Sequence, residues 1–280
     1  MSAPHASREH LERLEVAGLF LWLLKDLGWV LLLPALCMPA AFLVICVECR
    51  SVALRWGSAG QAQLVHSVAV ALWLVGNAVC MVSELLWMPS PELGRQFLWF
   101  RGPILGERQH YCDLGQRAAQ FIFLASLAAL AIFYARSALR LGRGGGGKRP
   151  PGGEADGPLV HGLIAADLYQ WIFIGPWIAK DLCWTLDAFL PSVPFAVMVI
   201  VLTVDYVARF RRRVFVAELG WVVANTVWMY GELPLGDRQQ WPRLAAAALL
   251  AASACLVLSS PCLARQPPGG AATEARAGQH

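Results

Sequence analysis

Eight runs of mainly apolar residues, near 16–33, 35–54, 64–87, 118–139, 168–188, 190–208, 214–233 and 243–264, alternate with short polar stretches along the chain. Each is close to the roughly 20 residues that a helix needs to cross a hydrocarbon layer of about 30 Å. None shows the strict two-residue alternation of a half-buried strand. The pattern predicts an all-α, polytopic transmembrane bundle of eight spans, the second of them barely long enough. A re-entrant or strongly tilted first hairpin is the competing arrangement, because LLLPALCMPAAF between the first two runs is short and apolar.

The runs are organised by an internal repeat, which is the first thing to seek in a sequence. WLLKDLGW at 22–29 returns as WIAKDLCW at 177–184, with five of eight positions identical, and the same offset of 155 aligns Pro39 with Pro194. WLVGNAVCMVSEL at 73–85 returns as WVVANTVWMYGEL at 221–233, with seven of 13 identical. Only three lysines occur, and two of them are Lys25 and Lys180; the only two asparagines are Asn77 and Asn225. Shared Leu or Ala would mean little in an apolar chain, but shared Lys, Asp, Trp and Asn in one order point to duplication. A weaker third match sets Arg117 beside Arg243 at the head of two Ala/Leu-rich runs. The expected organisation is a cytoplasmic N-terminal segment (1–15), a first transmembrane repeat (16–141), a disordered Gly/Pro/charge-rich cytoplasmic linker (142–158), a second transmembrane repeat (159–264) and a disordered tail (265–280).

Composition agrees with a lipid solvent. The chain is 57% hydrophobic and 15% charged, against roughly 25% charged in an average soluble domain. Its 12 tryptophans suit the two membrane–water boundaries, where amphipathic rings collect. A net charge of +4 without a basic, aromatic-interleaved stripe gives no sign of nucleic-acid binding. The eight cysteines form no disulfide framework and no metal-ligand spacing, and most read as small buried hydrophobes. Cys112 alone falls in a long polar loop, 88–116, expected to face the outside. No cofactor is implied, since HExxH, GxSxG and a phosphate-binding glycine loop are all missing and GGGG at 144–147 lies in the linker.

Charge also bears on orientation, because cytoplasmic flanks carry excess Lys and Arg. If all eight runs span, 15 basic residues lie on one side and six on the other, with Lys25 and Lys180 inside the membrane. If the two WxxKDxxW segments instead lie along the surface, the split becomes 13 against 10. Eight spans, two parallel four-helix repeats and both termini cytoplasmic are therefore expected.

The candidate site consists of the polar residues this arrangement sinks into lipid. Trp22, Lys25, Asp26 and Trp29 follow the i, i+3, i+4, i+7 spacing of one helical face, and Trp177, Lys180, Asp181 and Trp184 repeat it. A lone Lys or Asp at a helix centre costs about 2.5–3.5 kcal/mol, so four of them must pair, face the bundle interior or line water. Sequence neighbours on a helix diverge by about 100°, so Lys25 and Asp26 are expected to find partners on other helices. The third run of each repeat offers them, through Asn77 and Glu84 in one and Asn225 and Glu232 in the other, with the glutamates nearer a boundary. His66 has no counterpart in the second repeat and reads as a satisfied structural histidine.

Two functions lead for this core, and a third, an intramembrane enzyme acting on a lipid with Lys25 and Asp26 in acid–base roles, is open but selected by nothing in their spacing. Lys25, Asp26, Asn77, Glu84, Lys180, Asp181, Asn225 and Glu232 could bind a small polar or charged solute or an ion, as in transporters that place their sites between repeats. Trp22, Trp29, Trp177 and Trp184 would then line the site, although boundary belt or packing is their plainer role. Alternatively the same residues are interhelical glue in a non-catalytic scaffold or receptor-like component, such contacts averaging about 0.6 kcal/mol each. Besides the bilayer, neither reading fixes a partner or an oligomeric state.

Overall fold

In the computed structural model, residues 3–56, 61–87, 105–143, 159–160, 164–165, 172–236 and 239–259 are described. They form eight helices, α1 (Ala3–Val30), α2 (Pro34–Arg55), α3 (Gln61–Trp87), α4 (Leu105–Arg143), α5 (Ile174–Thr185), α6 (Phe189–Phe210), α7 (Arg213–Glu232) and α8 (Trp241–Leu258). A two-residue antiparallel ladder, β1 (Leu159–Val160) with β2 (Ile164–Ala165), precedes α5. Consecutive helices pack against each other and α8 returns to α1, so the bundle is a closed ring. Short connections make α1 and α2, α2 and α3, α5 and α6, α6 and α7, and α7 and α8 antiparallel. Across the ring, α1 also meets α7, and α3 meets α5.

Two of the turns show how local chemistry sets the path. α1 ends with Leu32 in the left-handed region (φ 56°), and its flanking amides bond back from Leu32 to Trp29 and from Leu33 to Gly28. Asp187 (φ 53°) ends α5 in the same way, with bonds from Asp187 to Trp184 and from Ala188 to Cys183. This paired 5→2 and 6→1 pattern satisfies the carbonyls that a helix end would otherwise leave bare and reverses the chain within three residues. The helix that follows is 22 residues long in both halves, with a proline at its sixth position, Pro39 or Pro194.

The odd-numbered helices line the middle and the even-numbered ones form the outside. α2, α4 and α6 bury only 28%, 22% and 28% of their apolar stretches, whereas α3 buries 56%. Their exposed faces are apolar, with Phe42, Phe121, Leu190 and Val201 all largely uncovered. Such a surface suits lipid and not water.

Five helices are long and apolar enough to cross a membrane: α2, α3, α6 and α8 over essentially their whole length, and α4 over His110–Arg136. The eight expected spans are therefore not all matched. α5 has 12 residues, roughly 18 Å of helix, and of the expected run 168–188 only residues 172–188 are among the described ones. α1 and α7 carry charged groups within their apolar stretches, which is why apolarity alone does not select them.

The structure also corrects the expected loop at 88–116. Residues 105–116 belong to α4, and Cys112 is buried against the bundle instead of facing outward. All the described cysteines are free. The alignment of the fourth runs shifts as well. Ala119, Phe123, Ser126 and Leu130 are the buried face of α4, and Ala246, Leu250, Ser253 and Val257 occupy α8 in the same way, an offset of 127. Arg243 thus corresponds to Gln116 and not to Arg117. Of the expected linker only residues 142–143, the end of α4, are among the described residues, and the tail 265–280 lies outside them.

Close approach of α3 to α4, and of α7 to α8, depends on missing side chains. A Cβ on Gly115 would stand 2.3 Å from Ser83 Cβ, and one on Gly231 2.6 Å from Pro242 Cβ. Small residues at such contacts let helix backbones pack closely in lipid, where no hydrophobic force drives helices together. Gly231→Val should therefore destabilise the protein by about 1–3 kcal/mol, read as a lower melting temperature in detergent. Gly175→Ala, where an added Cβ meets nothing within 4 Å, should melt close to the parent.

Candidate functional site: a twin lysine–aspartate core

The WxxKDxxW segments lie inside the ring. Lys25, Asp26, Lys180 and Asp181 are buried, the lysines almost completely at 0% and 1% exposure. Both segments sit on inner helices, α1 and α5, whose helical spacing presents Trp, Lys and the second Trp to the interior together.

Contrary to the expectation from sequence adjacency, each lysine pairs with its own neighbour. Lys25 Nζ donates to Asp26 Oδ1, and Lys180 Nζ to Asp181 Oδ1. A long lysine arm can curl back around the 100° divergence, whereas a shorter cation could not. Expected partners on other helices do appear, but on the second carboxylate oxygen. Asp26 Oδ2 accepts from Trp221 Nε1 at 2.6 Å and Asn225 Nδ2 at 3.3 Å, both on α7. Asp181 Oδ2 accepts from Trp73 Nε1 at 2.8 Å and Asn77 Nδ2 at 3.3 Å, both on α3. Each asparagine amide also reaches the carbonyl four residues back, at 3.1 Å for Asn225 and 3.2 Å for Asn77, which fixes its rotamer.

The partners cross over. The aspartate of the first half is held by the second half, and the reverse. Each charge-neutral pair thereby ties the two ends of the chain together across 195 and 108 residues of sequence.

Tryptophan rings enclose these pairs. Trp22, Trp73, Trp177 and Trp221 are buried and touch in a cycle, with ring centroids 4.9 Å (Trp22–Trp73), 5.2 Å (Trp73–Trp177), 4.5 Å (Trp177–Trp221) and 5.2 Å (Trp221–Trp22) apart. They are central packing and hydrogen-bonding residues, not boundary belt. Trp56 and Trp241, largely exposed at helix ends, are better placed for a belt. The Lys25 ammonium lies 5.3 Å from the Trp22 ring and 5.1 Å from Trp29, and Lys180 lies 5.0 Å from Trp184. A desolvated cation over an indole face gains about 2 kcal/mol, which offsets part of the burial penalty.

Glu84 and Glu232 form a separate layer toward the ends of α3 and α7. Trp29 Nε1 donates to Glu84 Oε2 and Trp184 Nε1 to Glu232 Oε2, each at 2.9 Å. The indoles thus bridge core and end layer, face to lysine and N–H to glutamate. Here the halves differ. Glu232 also takes Arg243 (2.7 Å) and Trp228 Nε1 (2.6 Å), whereas Glu84 takes the Cys80 thiol at 3.3 Å. His66 is satisfied as expected, with Nδ1 2.7 Å from Ala62 O and Nε2 2.7 Å from Tyr134 Oη.

Trp73, Trp221, Trp228 and Arg243 are site residues that the candidate set omitted. Trp73 and Trp221 were legible, standing four residues before the paired asparagines in the second repeated motif. Arg243 was hidden by the one-residue misalignment of the fourth runs. No metal-binding group of three or more His, Cys, Asp or Glu occurs among the described residues.

No protein family, curated protein or solved structure matches the chain.

Trp221→Phe keeps a ring in the aromatic cycle but removes the 2.6 Å donor to Asp26. It should cost about 1.5–3 kcal/mol, the range for a hydrogen bond to a charged group. Trp177→Phe, which removes ring area from an indole that makes no side-chain hydrogen bond among the described residues, should cost less; equal melting temperatures for the two variants would contradict the assignment.

Proposed function

We propose that this is an integral membrane protein whose twin Lys–Asp sets lock the two halves of the helical ring together, serving as a non-catalytic membrane component with a structural polar core. The observation that carries this reading is the crossed satisfaction of the aspartates. Each carboxylate has a cation and two further donors, those donors come from the other half, and the lysines are fully covered. A carboxylate so provided has little capacity left for a solute. The matching contacts at offsets of 155 and 148 support an origin by duplication, with two four-helix units as parallel repeats and the inner helices as additional spans. The excess of basic residues at one end supports cytoplasmic termini.

A second reading has one specific observation in its favour. Buried ion pairs contribute little net stability, and well-packed apolar replacements are often neutral or better. Two such pairs in an apolar bundle therefore invite a role in binding, and a carrier that opens between the halves would expose Lys25, Asp26, Asn77, Glu84, Lys180, Asp181, Asn225 and Glu232 to an ion or small polar solute. The closed tryptophan cycle would then be its occluded state.

The two readings separate experimentally. Under the lock, Asp26→Ala strands a buried lysine and should cost about 3–5 kcal/mol. Adding Trp221→Phe should cost little more, because its partner is already gone. An Asp26→Ala protein that melts like the parent would rule the lock out. Proteoliposomes tested with alkali cations, ammonium, chloride and small carboxylates should show no flux above protein-free vesicles. Flux abolished by Lys25→Ala with Lys180→Ala, in a variant of parental stability, would establish the carrier.

A further inference from the structure

We propose that the two-residue turn joining α6 to α7 is a binding site for the headgroup of an anionic phospholipid in the leaflet at that end of the bundle. α6 is one of the helices long and apolar enough to cross a membrane, and it ends at Phe210, which is 37% exposed. The turn is Arg211 and Arg212, flanked by Arg209 and Arg213, all exposed. Arg209 is held by Asp205 at 2.8 Å, and Arg213 reaches the Ser259 carbonyl at 3.4 Å. Neither Arg211 nor Arg212 makes a side-chain hydrogen bond or ion pair among the described residues.

Folding gives no reason for arginine at either position. Arg211 sits in the left-handed region (φ 47°, ψ 30°), where glycine is the default and a side chain costs about 1–2 kcal/mol. Arg212 is the N-cap of α7 and makes no side-chain cap, because a guanidinium has no acceptor to offer the first amides. Arg212 and Arg213 also place positive charge at the positive end of the α7 dipole. A phosphate held there supplies the missing acceptor at the first amides and cancels the adverse charge, and guanidinium forks bind it bidentately, which offsets the backbone cost at Arg211. The first half is different: at the same offset of 155, Trp56 stands where Arg211 does. Arg55, aligned with Phe210, is buried and engaged by Glu15 at 2.6 Å and Ser67 at 2.6 Å. A generally basic flank would orient the helix equally well from either turn; the free guanidiniums at a strained position are peculiar to this one.

The site is tested on the full chain in detergent, titrated with phosphatidylserine, phosphatidylglycerol or phosphatidylcholine while thermal stability is followed. The anionic lipids should raise the melting temperature of the parent and phosphatidylcholine should not. Each arginine near an anionic surface contributes about five-fold in affinity, so Arg211→Gln with Arg212→Gln should weaken the response on the order of twenty-fold. Arg117→Gln, an exposed arginine elsewhere, should leave it unchanged. Arg211→Gly guards against misfolding, since it relieves the left-handed backbone: lipid-free stability should hold or rise while the lipid response falls about five-fold. Equal stabilisation of the double variant and the parent would overturn the site, as would an equal effect of phosphatidylcholine. Inorganic phosphate matching the lipid at similar concentration would identify a soluble-anion site instead and refute the lipid assignment.

Discussion

Four charged side chains in the middle of an apolar helical bundle must be neutralised inside the protein, and the rest of the structure is arranged around that requirement. Lys25 with Asp26 and Lys180 with Asp181 cancel charge locally, which leaves one oxygen of each carboxylate still in need of donors. Apolar neighbours cannot supply them. The indole N–H and the asparagine amide on α3 and α7 do, and reaching them brings the inner helices of opposite halves within side-chain contact. The four-tryptophan cycle follows from the same geometry, because the donors' ring faces must lie against whatever the other half presents at that level. It presents another tryptophan.

Much of the helical content was legible because lipid-compatible helices leave a coarse signal. α2, α3, α6 and α8 coincide closely with apolar runs, and their turns carry Gly, Pro or charge where the chain reverses. The misreadings have physical causes. Residues 105–116 look like loop because they are polar, but a helix longer than its apolar stretch can project polar turns beyond it. Among the described residues, α5 ends at Thr185, short of its apolar run, because the left-handed turn at Asp187 closes the helix where hydrophobicity continues. Cys112 was read from its polar sequence neighbours, while its burial is set by the helical face it occupies.

The polar core was legible in membership and only half legible in connection. Rare residues in a repeated order marked Lys25, Asp26, Asn77 and their counterparts, and all of them are buried together. The pairing of neighbouring Lys and Asp was not foreseeable from helical angles alone, since four methylenes make a lysine nearly indifferent to the 100° offset. Crossing between halves was equally invisible. A repeat shows which residues correspond, and it is silent on whether a residue meets its own half or the other.

That crossing also accounts for where the halves agree and where they differ. At the end layer, Glu84 is served by Trp29 and Cys80, and Glu232 by Trp184, Trp228 and Arg243, all side chains of the same half. A change there can be offset within one half, and the two sets share the glutamate and its indole donor but differ in the remaining partners. Hydrogen bonds between halves at this level go to backbone carbonyls, as when Arg243 reaches Val30 O and Gln120 reaches Thr185 O, and the side-chain contact between halves is the edge-to-face packing of Trp29 on Trp228, centroids 5.0 Å apart, which asks only for ring area. In the core the demand falls on identity. Losing Trp221 strips a donor from Asp26 in the other half, and losing Asp26 takes the carboxylate acceptor from Lys25 and Trp221 at once and leaves Asn225 only the Trp221 carbonyl. Residues bound by reciprocal need across the ring cannot be exchanged one at a time without loss, and at this level every member, Lys, Asp, Trp and Asn, is the same in both halves.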